Sequence, residues 1–207
     1  MFRPKCYYMR MNANIAVWAV WIVAAYLVGS IPFGYLIGRA RGVDVRTVGS
    51  KNIGATNVYR TVGKGWGLLV FLCDFLKGIL PTLAAMQWGC SADLPVCVGL
   101  ACVVGHTLTV FMRFKGGKGV ATAFGVFVAL IPVPTLVAFV VFAVTVWISR
   151  YISLGSILAA ATLGALAWVF PVTLAVRCVV TAVAVFVIVK HRSNIVRLAK
   201  GCENKIY

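Results

Sequence analysis

The sequence predicts an all-α polytopic membrane protein, and three observations lead to that prediction. Hydrophobic residues make up 62% of the 207-residue chain and charged residues only 12%, a balance typical of membrane-embedded chains. The apolar residues fall into seven long runs. The 20 Lys and Arg residues outnumber four acidic ones and cluster between these runs, which favours a membrane surface and anionic substrates over nucleic acid. So much apolar length leaves no room for a soluble domain, so we expect one integral membrane domain over residues 1–207.

The seven apolar runs are the predicted transmembrane helices, with breaks at proline and at charge. They are residues 14–38, 66–87, 95–112, 119–131, 135–149, 152–169 and 172–189. The first run begins like a signal peptide, but no A-x-A site ends it and it continues past Pro32, so we interpret it as a retained span. Pro132, Pro134 and Pro171 either separate two helices or kink one long helix. The run 119–131 is short for a crossing of about 30 Å.

The basic residues predict the orientation of the chain, because short cytoplasmic loops are enriched in Lys and Arg. The cations lie in the loop after the first span, in a glycine-rich loop near residue 115, at Arg150 and in the tail after residue 189. The remaining connections carry Asp93 as their one charged residue. Seven spans with an external N-terminus and a cytoplasmic C-terminus place every basic segment in the cytoplasm, and five spans would keep this parity. Three N-terminal cations then lie on the opposite side: Arg3, Lys5 and Arg10.

The glycine-rich loop between two apolar runs is the strongest local signal. It interrupts the hydrophobic pattern, which resumes at Val120, with the residues Lys115, Gly116, Gly117, Lys118 and Gly119. Glycines let successive backbone N–H groups converge on one anion, and a helix that starts at Val120 adds the positive end of its dipole. We therefore expect this loop to bind phosphate. The alternative is a tight turn with cytoplasmic lysines. The spacing excludes a Walker A loop.

Two further basic segments share this side of the predicted protein. The loop at 49–60 combines glycines, hydroxyls, amides and cations that suit an oxyanion or a polyol, and Arg60 can grip phosphate through two N–H groups. In the tail, His191 and Asn194 share one face if the last helix continues. His191 is expected to titrate near neutral pH, and so to bind phosphate or move a proton. Each segment alone also fits a solvated loop or a lipid-contacting helix end; together they predict one interfacial site for two or more phosphates.

Two charged residues fall inside a predicted span. Asp74 and Lys77 lie three residues apart on one helix face, which indicates a structural ion pair that faces the bundle interior. His106, also in a span, is interpreted as a hydrogen-bonded packing residue in preference to a ligand. Glu203 is interpreted as an acid that pairs with a loop cation and holds the tail. The seven cysteines show no CxxC pair, so we expect no disulfide framework, no metal site and no cofactor.

Five sequence blocks cover almost the whole chain in a specific order. They are GSIPFGYLIGR at 29–39, GSKNIGATNVYR at 49–60, DFLKG at 74–78, GHTLTVFMRFKGGKGVAT at 105–122 and HRSNIVRLAKGCE at 191–203. These blocks resemble the bacterial acyl-phosphate:glycerol-3-phosphate acyltransferase family, known as PlsY. The resemblance implies seven transmembrane helices, an external N-terminus and an active site at the cytoplasmic face. The chain departs from the family, whose members usually carry Gly, Pro and Pro, at Lys51, Ile53 and Thr109.

Together with the residue chemistry above, the resemblance implies a role for each candidate residue. The catalytic residues are expected to be Ser50, Arg60, Lys118, His191 and Asn194. Substrate contacts are expected from Lys51, Asn52, Gly54, Thr56, Asn57, Gly116, Gly117, Gly119, Ser153 and Ser156. Structural support is expected from Glu203, Asp74 and Lys77.

The implied reaction moves a fatty acyl group from acyl phosphate to the sn-1 hydroxyl of glycerol 3-phosphate. The products are lysophosphatidic acid and inorganic phosphate, and the step is the first acylation of phospholipid synthesis at the bacterial inner membrane. Acyl phosphate is already activated, so the enzyme needs no covalent nucleophile or metal, but its cations must offset two phosphates that repel each other. A substrate phosphate oxygen or His191 accepts the proton, and phosphate binding is the favoured role for His191.

The implied partners are acyl phosphate, glycerol 3-phosphate and membrane lipid, with functional coupling to the enzyme that makes acyl phosphate. Two other classes compete with this interpretation. A transporter for an organic phosphate would place its site near the membrane midplane, often with repeat symmetry. A non-catalytic scaffold would use its basic loops to bind lipid, and would not require three glycines in one loop.

Overall fold

The computed structural model describes residues 4–88 and 91–206, with side chains from Ile15 onward. Every regular element in these residues is helical. In chain order the helices are α1 (Pro4–Ser30), α2 (Phe33–Ala40), α3 (Ala55–Thr61), α4 (Lys64–Trp88), α5 (Leu94–Thr107), a 3-10 turn (Val110–Met112), α6 (Val120–Leu130), α7 (Pro132–Ser149), α8 (Ile152–Val169), α9 (Leu174–Lys190) and α10 (Arg192–Ala199). The N-terminal cations that oppose the predicted orientation lie outside this part: Arg3 entirely, and the side chains of Lys5 and Arg10.

The helices follow the predicted apolar segments. The prolines near residue 132 separate α6 from α7, and Pro171 lies between α8 and α9. Within the described residues, five helices are long and apolar enough to cross a membrane, counting 15–40 as one, and the α9–α10 pair, bent by 53°, is a sixth candidate. Helix α6 has 11 residues, fewer than the roughly 20 that a full crossing needs. The all-helical architecture is confirmed, and the count of seven spans stays a prediction.

A break between α1 and α2 is stabilised by side chains from neighbouring helices. Pro32 has no N–H, so a regular helix does not continue through it. The Nζ atom of Lys77 in α4 donates to the carbonyl of Ile31 at 2.8 Å, and the Oγ1 atom of Thr109 donates to the carbonyl of Ser30 at 2.5 Å. Such partners allow a helix to break at membrane depth. Thr109, at a position where the PlsY pattern usually has proline, therefore stabilises this break.

Helix packing brings the candidate residues to one end of the bundle. Helix α1 packs on α5, α4 packs on α5 and α6, and α8 packs on α7 and α9. The buried core between them includes Leu94, Val98, Cys102, Val126 and Val180. This packing places the C-terminal ends of α5 and α9 beside the N-terminal ends of α6 and α8, next to the loop before α3. The predicted site residues are carried by these helix ends and by that loop.

Candidate active site

One cavity brings together most of the residues that the sequence indicates. It has a volume of ≈ 150 Å³ and we call it the polar cavity. The predicted residues in its wall are Ser50, Asn52, Gly54, Thr56, Asn57, Arg60, Asp74, Lys118, Gly119, Ser153, Ser156, His191, Asn194 and Glu203. The chain has two histidines and four acidic residues, and this wall contains both histidines and two of the acids. The titratable groups are therefore concentrated where the sequence predicted a site.

A second cavity of ≈ 420 Å³, the basic vestibule, adjoins the polar cavity. The walls common to both are Ser50, Asn52, Lys118 and Asn194. The vestibule adds the two loop glycines and three cations: Gly116, Gly117, Lys190, Arg192 and Arg197. Lys51, a predicted substrate contact, is exposed and lines neither cavity. An anion in the vestibule would therefore lie among several cations, and Lys118 is one of them.

Asn57 organises the loop before α3 from the inside. Its Oδ1 atom accepts the N–H of Ser50 at 2.8 Å, and its Nδ2 atom donates to the carbonyls of Val45 at 2.8 Å and Val48 at 3.2 Å. The side chain is buried, so its amide satisfies the loop backbone in place of water. Asn57 lies in the cavity wall, but these hydrogen bonds serve the loop and hold Ser50 at the cavity edge.

Arg60 reaches the polar cavity from α3 with part of its guanidinium free. One terminal N–H group donates to the carbonyl of Asn204 in the C-terminal tail at 2.8 Å. The Nε atom is buried and has no hydrogen-bond partner within the described residues. Burial lowers the pKa of this guanidinium from its ordinary value, but arginine remains protonated in proteins. A buried cation with an unused donor is suited to binding an anion.

The glycine loop differs from the predicted nest of backbone N–H groups. The N–H of Gly116 donates to the carbonyl of Thr107, and the N–H of Gly117 donates to the carbonyl of His106, both at 3.1 Å. These two donors are used by α5 and do not converge on an anion, which corrects the expectation. The start of α6 lies at the cavity wall instead, through Gly119, Val120 and Ala121. The first N–H groups of a helix have no partner within it and favour negative charge.

Lys118 begins a chain of hydrogen bonds that ends in the C-terminal tail. Its Nζ atom donates to Asn194 Oδ1, and Asn194 Nδ2 donates to Glu203 Oε1 at 2.7 Å. The same carboxylate accepts from Ser153 Oγ at 2.9 Å and from Arg197 Nε at 2.7 Å. Burial opposes the charge of Glu203, but these donors keep its pKa below the ordinary value. Burial also lowers the pKa of Lys118 to about 8. The cation paired with Glu203 is Arg197 of the tail itself, which corrects the expectation of a loop cation, and the bond from Ser153 connects the tail to α8.

His191 ends α9 and lies in the wall of the polar cavity. Its Nδ1 atom is 2.8 Å from the carbonyl of Val187, so Nδ1 carries a proton and Nε2 is the acceptor of the neutral ring. Burial, and then the charge of Lys118, lower the pKa of His191 to about 4. The unliganded ring is neutral at pH 7, which corrects the expectation that it titrates near neutral pH. The chain bends here, yet His191 and Asn194 line the same cavity as predicted.

Asp74 lies at the inner wall of the polar cavity with two partners. Its Oδ1 atom is 2.6 Å from Lys77 Nζ and 3.5 Å from His106 Nδ1. The ion pair predicted from the spacing of Asp74 and Lys77 is present, and all three side chains are buried. His106, interpreted from the sequence as a packing residue, lines the cavity beside Asp74. Its position shortly before the glycine loop was the signal that could have placed it in the site.

An apolar cavity of ≈ 110 Å³ adjoins the polar cavity. Both cavities are lined by Phe71, Val120, Phe142 and Ser156. The rest of the apolar wall includes Phe124, Phe127, Phe139, Ala160 and Leu163. Phe71 lies three residues before Asp74 in α4, so helical spacing could have placed it in the site. Phe142 reaches the site through tertiary packing. A polar wall joined to an apolar one suits a substrate with a charged head and a hydrocarbon tail.

The fold and the two joined cavities define an integral membrane protein with a polar, cation-containing site beside an apolar cavity. A model of the glycerol-3-phosphate acyltransferase family matches residues 19–201. The chain is 51% identical over 185 residues to the glycerol-3-phosphate acyltransferase of Trichlorobacter lovleyi, across 89% of this chain and 95% of the relative. It is 50% identical over 181 residues to that of Geobacter sulfurreducens, across 87% and 93%. The chain belongs to the glycerol-3-phosphate acyltransferase family.

Two solved structures share this fold. They are crystal structures of PlsY, an integral membrane glycerol 3-phosphate acyltransferase, in its glycerol 3-phosphate form and its lysophosphatidic acid form. The TM-scores are 0.87 and 0.83 at 43% and 42% sequence identity, each over 91% of this chain and 95% of the solved chain. These comparisons confirm the resemblance predicted from the sequence blocks, and with the apolar helices they identify a multi-pass membrane protein. Within the described residues, no group of His, Cys, Asp and Glu could hold a metal ion.

Proposed function

We propose that this chain transfers a fatty acyl group from acyl phosphate to the sn-1 hydroxyl of glycerol 3-phosphate, giving lysophosphatidic acid and inorganic phosphate. The observation that carries the proposal is the junction of the polar and apolar cavities. Acyl phosphate has the same division, because a phosphate head follows a hydrocarbon tail. The phosphate of glycerol 3-phosphate fits beside Arg60 in the wall of the polar cavity, which adjoins the basic vestibule.

The cations of the site address the main obstacle to the reaction, which is repulsion between two phosphate groups. Two unit charges about 4 Å apart repel by about 4 kcal/mol at an effective dielectric constant of 20. Lys118 and the start of α6 form the proposed site for the donor phosphate. Arg60, whose Nε is unused, is the proposed ligand of the acceptor phosphate. Both cations are held in place by protein oxygens, so they need little rearrangement when the anions bind.

The proposed chemistry depends on placement, because the donor is already activated. The glycerol hydroxyl oxygen bonds to the carbonyl carbon, and the bond from that carbon to the phosphate oxygen breaks. The proton passes to a phosphate oxygen or to His191 Nε2. A neutral His191 with Nε2 as acceptor favours the proton-accepting role over the phosphate-binding role. A bound phosphate raises the pKa of a neighbouring histidine, so substrate binding itself prepares the ring to take a proton.

The proposal extends to the placement of the protein in the bacterial inner membrane. Seven crossings, an external N-terminus and a site at the cytoplasmic face are supported by the cations that surround the vestibule. The whole chain 1–207 then forms one domain, with the donor supplied by an acyl-phosphate-producing enzyme. Single cysteines at positions 51, 115 and 205, in a background without the native cysteines, should all label from the cytoplasmic side. Labelling from opposite sides would contradict a single cytoplasmic site.

The function is tested with the full chain in lipid nanodiscs. With a long-chain acyl phosphate and glycerol 3-phosphate, we expect one inorganic phosphate released for each lysophosphatidic acid formed, with the acyl group at sn-1. Coenzyme A and acyl-carrier-protein thioesters of the same acyl group are the alternative donors, and we expect no turnover with them. Lys118→Met, which keeps the side-chain length and removes the charge, is the control for background hydrolysis. Phosphate uptake into sealed liposomes without turnover would indicate a transporter instead.

A further inference from the structure

We propose that His106 is a positioning residue that sets the glycine loop and, through it, Lys118 and the start of α6. The inference rests on the proposed function for its kinetic test. It changes the reason for which Gly117 is needed. The sequence suggested that Gly117 gives a phosphate access to the backbone, whereas the structure assigns the space beside Gly117 to the ring of His106.

The ring of His106 occupies the position where any other residue at 117 would place its Cβ. An ideal Cβ at Gly117 would overlap His106 Nε2, and the next nearest atoms are also in the imidazole ring. The carbonyl of His106 accepts the N–H of Gly117 at 3.1 Å. One residue of α5 therefore holds the loop both through its backbone and through its side chain. A residue with a Cβ at this position would have to displace the ring, and glycine avoids that displacement.

Asp74 lies beside the ring of His106 in the buried part of the site. The carboxylate lies 3.5 Å from His106 Nδ1 and 2.6 Å from Lys77 Nζ, and Lys77 also donates to the carbonyl of Ile31 at 2.8 Å. The exposed fractions of Asp74, Lys77 and His106 are 2%, 5% and 5%, so water does not compete strongly for these groups. The carboxylate lies next to Nδ1 without a hydrogen bond to it, since neither His106 Nδ1 nor Asp74 Oδ1 has a hydrogen-bond partner among the described residues. A buried chain of contacts thus connects the break between α1 and α2 to the glycine loop.

The position of Gly117 decides where the proposed phosphate ligands lie. Lys118 follows directly and binds Asn194 Oδ1. Gly119 has a φ of 82° and leads into the first turn of α6. A loop displaced by an overlap at position 117 moves both the Lys118 ammonium and these first-turn N–H groups. The effect of such a displacement falls on phosphate binding, and therefore on the KM for acyl phosphate more than on kcat.

A double-mutant comparison tests the proposal in the full chain in nanodiscs. Gly117→Ala should raise the KM for a long-chain acyl phosphate by about tenfold, the effect of a moderate overpacking. When His106→Ala is added, the overlap disappears, and KM should return to the value of His106→Ala alone. Gly116→Ala is the matched control, because a Cβ at 116 meets the backbone carbonyl of His106 and not its ring. His106→Ala should not rescue this control variant.

Three results would overturn the proposal. Gly117→Ala could raise KM equally with and without the His106 ring, which would mean that Gly117 meets the substrate directly. His106→Ala could restore the Tm of Gly117→Ala without restoring KM, which would make the contact a matter of packing alone. The third would be rescue of the Gly116→Ala control by His106→Ala. If His106→Ala lowers the yield, His106→Ser removes the ring with a smaller loss of polarity.

Binding of inorganic phosphate tests the positioning role of His106 separately from the proposed function. Its dissociation constant, measured from the shift in Tm, does not depend on turnover. If the wild-type chain fails to use acyl phosphate, the proposed donor is wrong. Restored phosphate affinity in the Gly117→Ala and His106→Ala double variant would still support the positioning role, and unrestored affinity would overturn it.

Discussion

The two buried carboxylates of the site, Asp74 and Glu203, support it in different ways. Asp74 pairs with Lys77 in its own helix, and the two side chains are each 3% exposed. Glu203 comes from the C-terminal tail and accepts hydrogen bonds from three separate side chains. Its cation, Arg197, has a side chain that is 37% exposed. Asp74 therefore depends on one buried charge, whereas Glu203 distributes its charge among several donors.

This difference predicts how each side of the site responds when a partner of its carboxylate is removed. A buried ion pair that loses one partner leaves an uncompensated charge in a medium of low dielectric constant, and the cost is large. A carboxylate with several donors loses one hydrogen bond at a time, and each net loss is modest. We therefore expect the Asp74 side to respond mainly in stability and the Glu203 side mainly in catalysis.

The largest effect is expected from Lys77→Met. This change leaves Asp74 buried with His106 at 3.5 Å as its nearest partner, and a broken buried pair costs about 3–5 kcal/mol. The Tm of the detergent-solubilised protein should fall more than in the other variants discussed below. The control is the Asp74→Asn and Lys77→Met double variant, which contains no unpaired charge and should recover most of the lost Tm. A double variant as unstable as the single one would show that charge is not the cause.

Glu203→Gln should have the next largest effect, and chiefly on turnover. The amide keeps the size of the side chain but loses the charge that binds Arg197. Its NH₂ group replaces an oxygen that accepts hydrogen bonds, so at least one donor loses its acceptor. We expect kcat/KM to fall by about tenfold or more, the equivalent of one hydrogen bond to a charged group, because Asn194 and Lys118 lose their anchor.

Steady-state kinetics and limited proteolysis of the C-terminal tail measure this effect together. Ser153→Ala removes one neutral donor to the same carboxylate and serves as the control, with an expected loss of about 1 kcal/mol in unfolding free energy. If Glu203→Gln is protected from proteolysis and fully active, the tail does not depend on the charge of Glu203.

The pH dependence of acyl-phosphate binding should distinguish the Asp74 side of the site from the Glu203 side. Burial lowers the pKa of Lys118 to about 8, while the charge of Glu203 acts in the opposite direction. Lysine is a cation below its pKa, so kcat/KM for acyl phosphate should fall as the pH rises through about 8. Glu203→Gln should move this alkaline fall in kcat/KM to lower pH. The neutral Asp74→Asn and Lys77→Met double variant should leave the pH of the fall unchanged.

Lys118→Arg provides the control for this profile, because arginine stays charged throughout this range. Its profile should lose the alkaline limb that the wild type shows. A limb that persists in Lys118→Arg would assign the titration to another group.

The sequence predicted one side of this comparison better than the other. The spacing of Asp74 and Lys77 inside an apolar run was enough to predict their ion pair, because both residues lie on one helix. The partners of Glu203 could not be predicted in this way. Ser153 lies 50 residues away in the chain, and the neighbouring carbonyl of Asn204 likewise accepts from Arg60, 144 residues away. Such contacts depend on how helices pack, which hydropathy does not specify.

The glycine loop shows the same limit at shorter range. Its composition predicted that the loop is part of the site, and Gly116 and Gly117 do line the vestibule. The prediction that their N–H groups converge on an anion was wrong, since α5 ends close enough for its carbonyls to accept both. The start of α6 at Val120, by contrast, followed from the return of the apolar pattern. Local patterns therefore placed the helices and the loop, but not the hydrogen-bond partners of the loop.

The smallest effect is expected from Arg197→Met. This variant removes the cationic partner of Glu203, as Lys77→Met removes the cationic partner of Asp74. Arg197 is partly exposed and Glu203 keeps its bonds to Ser153 and Asn194. Pairs of this kind contribute about 0–1 kcal/mol, and salt reduces the contribution further. The unfolding free energy should therefore change by less than about 1 kcal/mol, with the difference from wild type shrinking as salt is added.

Arg197 also lines the vestibule, so its loss should raise the KM for glycerol 3-phosphate by about twofold, as for one screened surface charge. Thermal unfolding of Arg197→Met and Lys77→Met, side by side in the same lipid, gives the direct comparison. An equal loss in both variants would mean that Glu203 needs its cation as much as Asp74 does. In that case the donors Ser153 and Asn194 would not stabilise the carboxylate independently, and the two sides of the site would be supported in the same way.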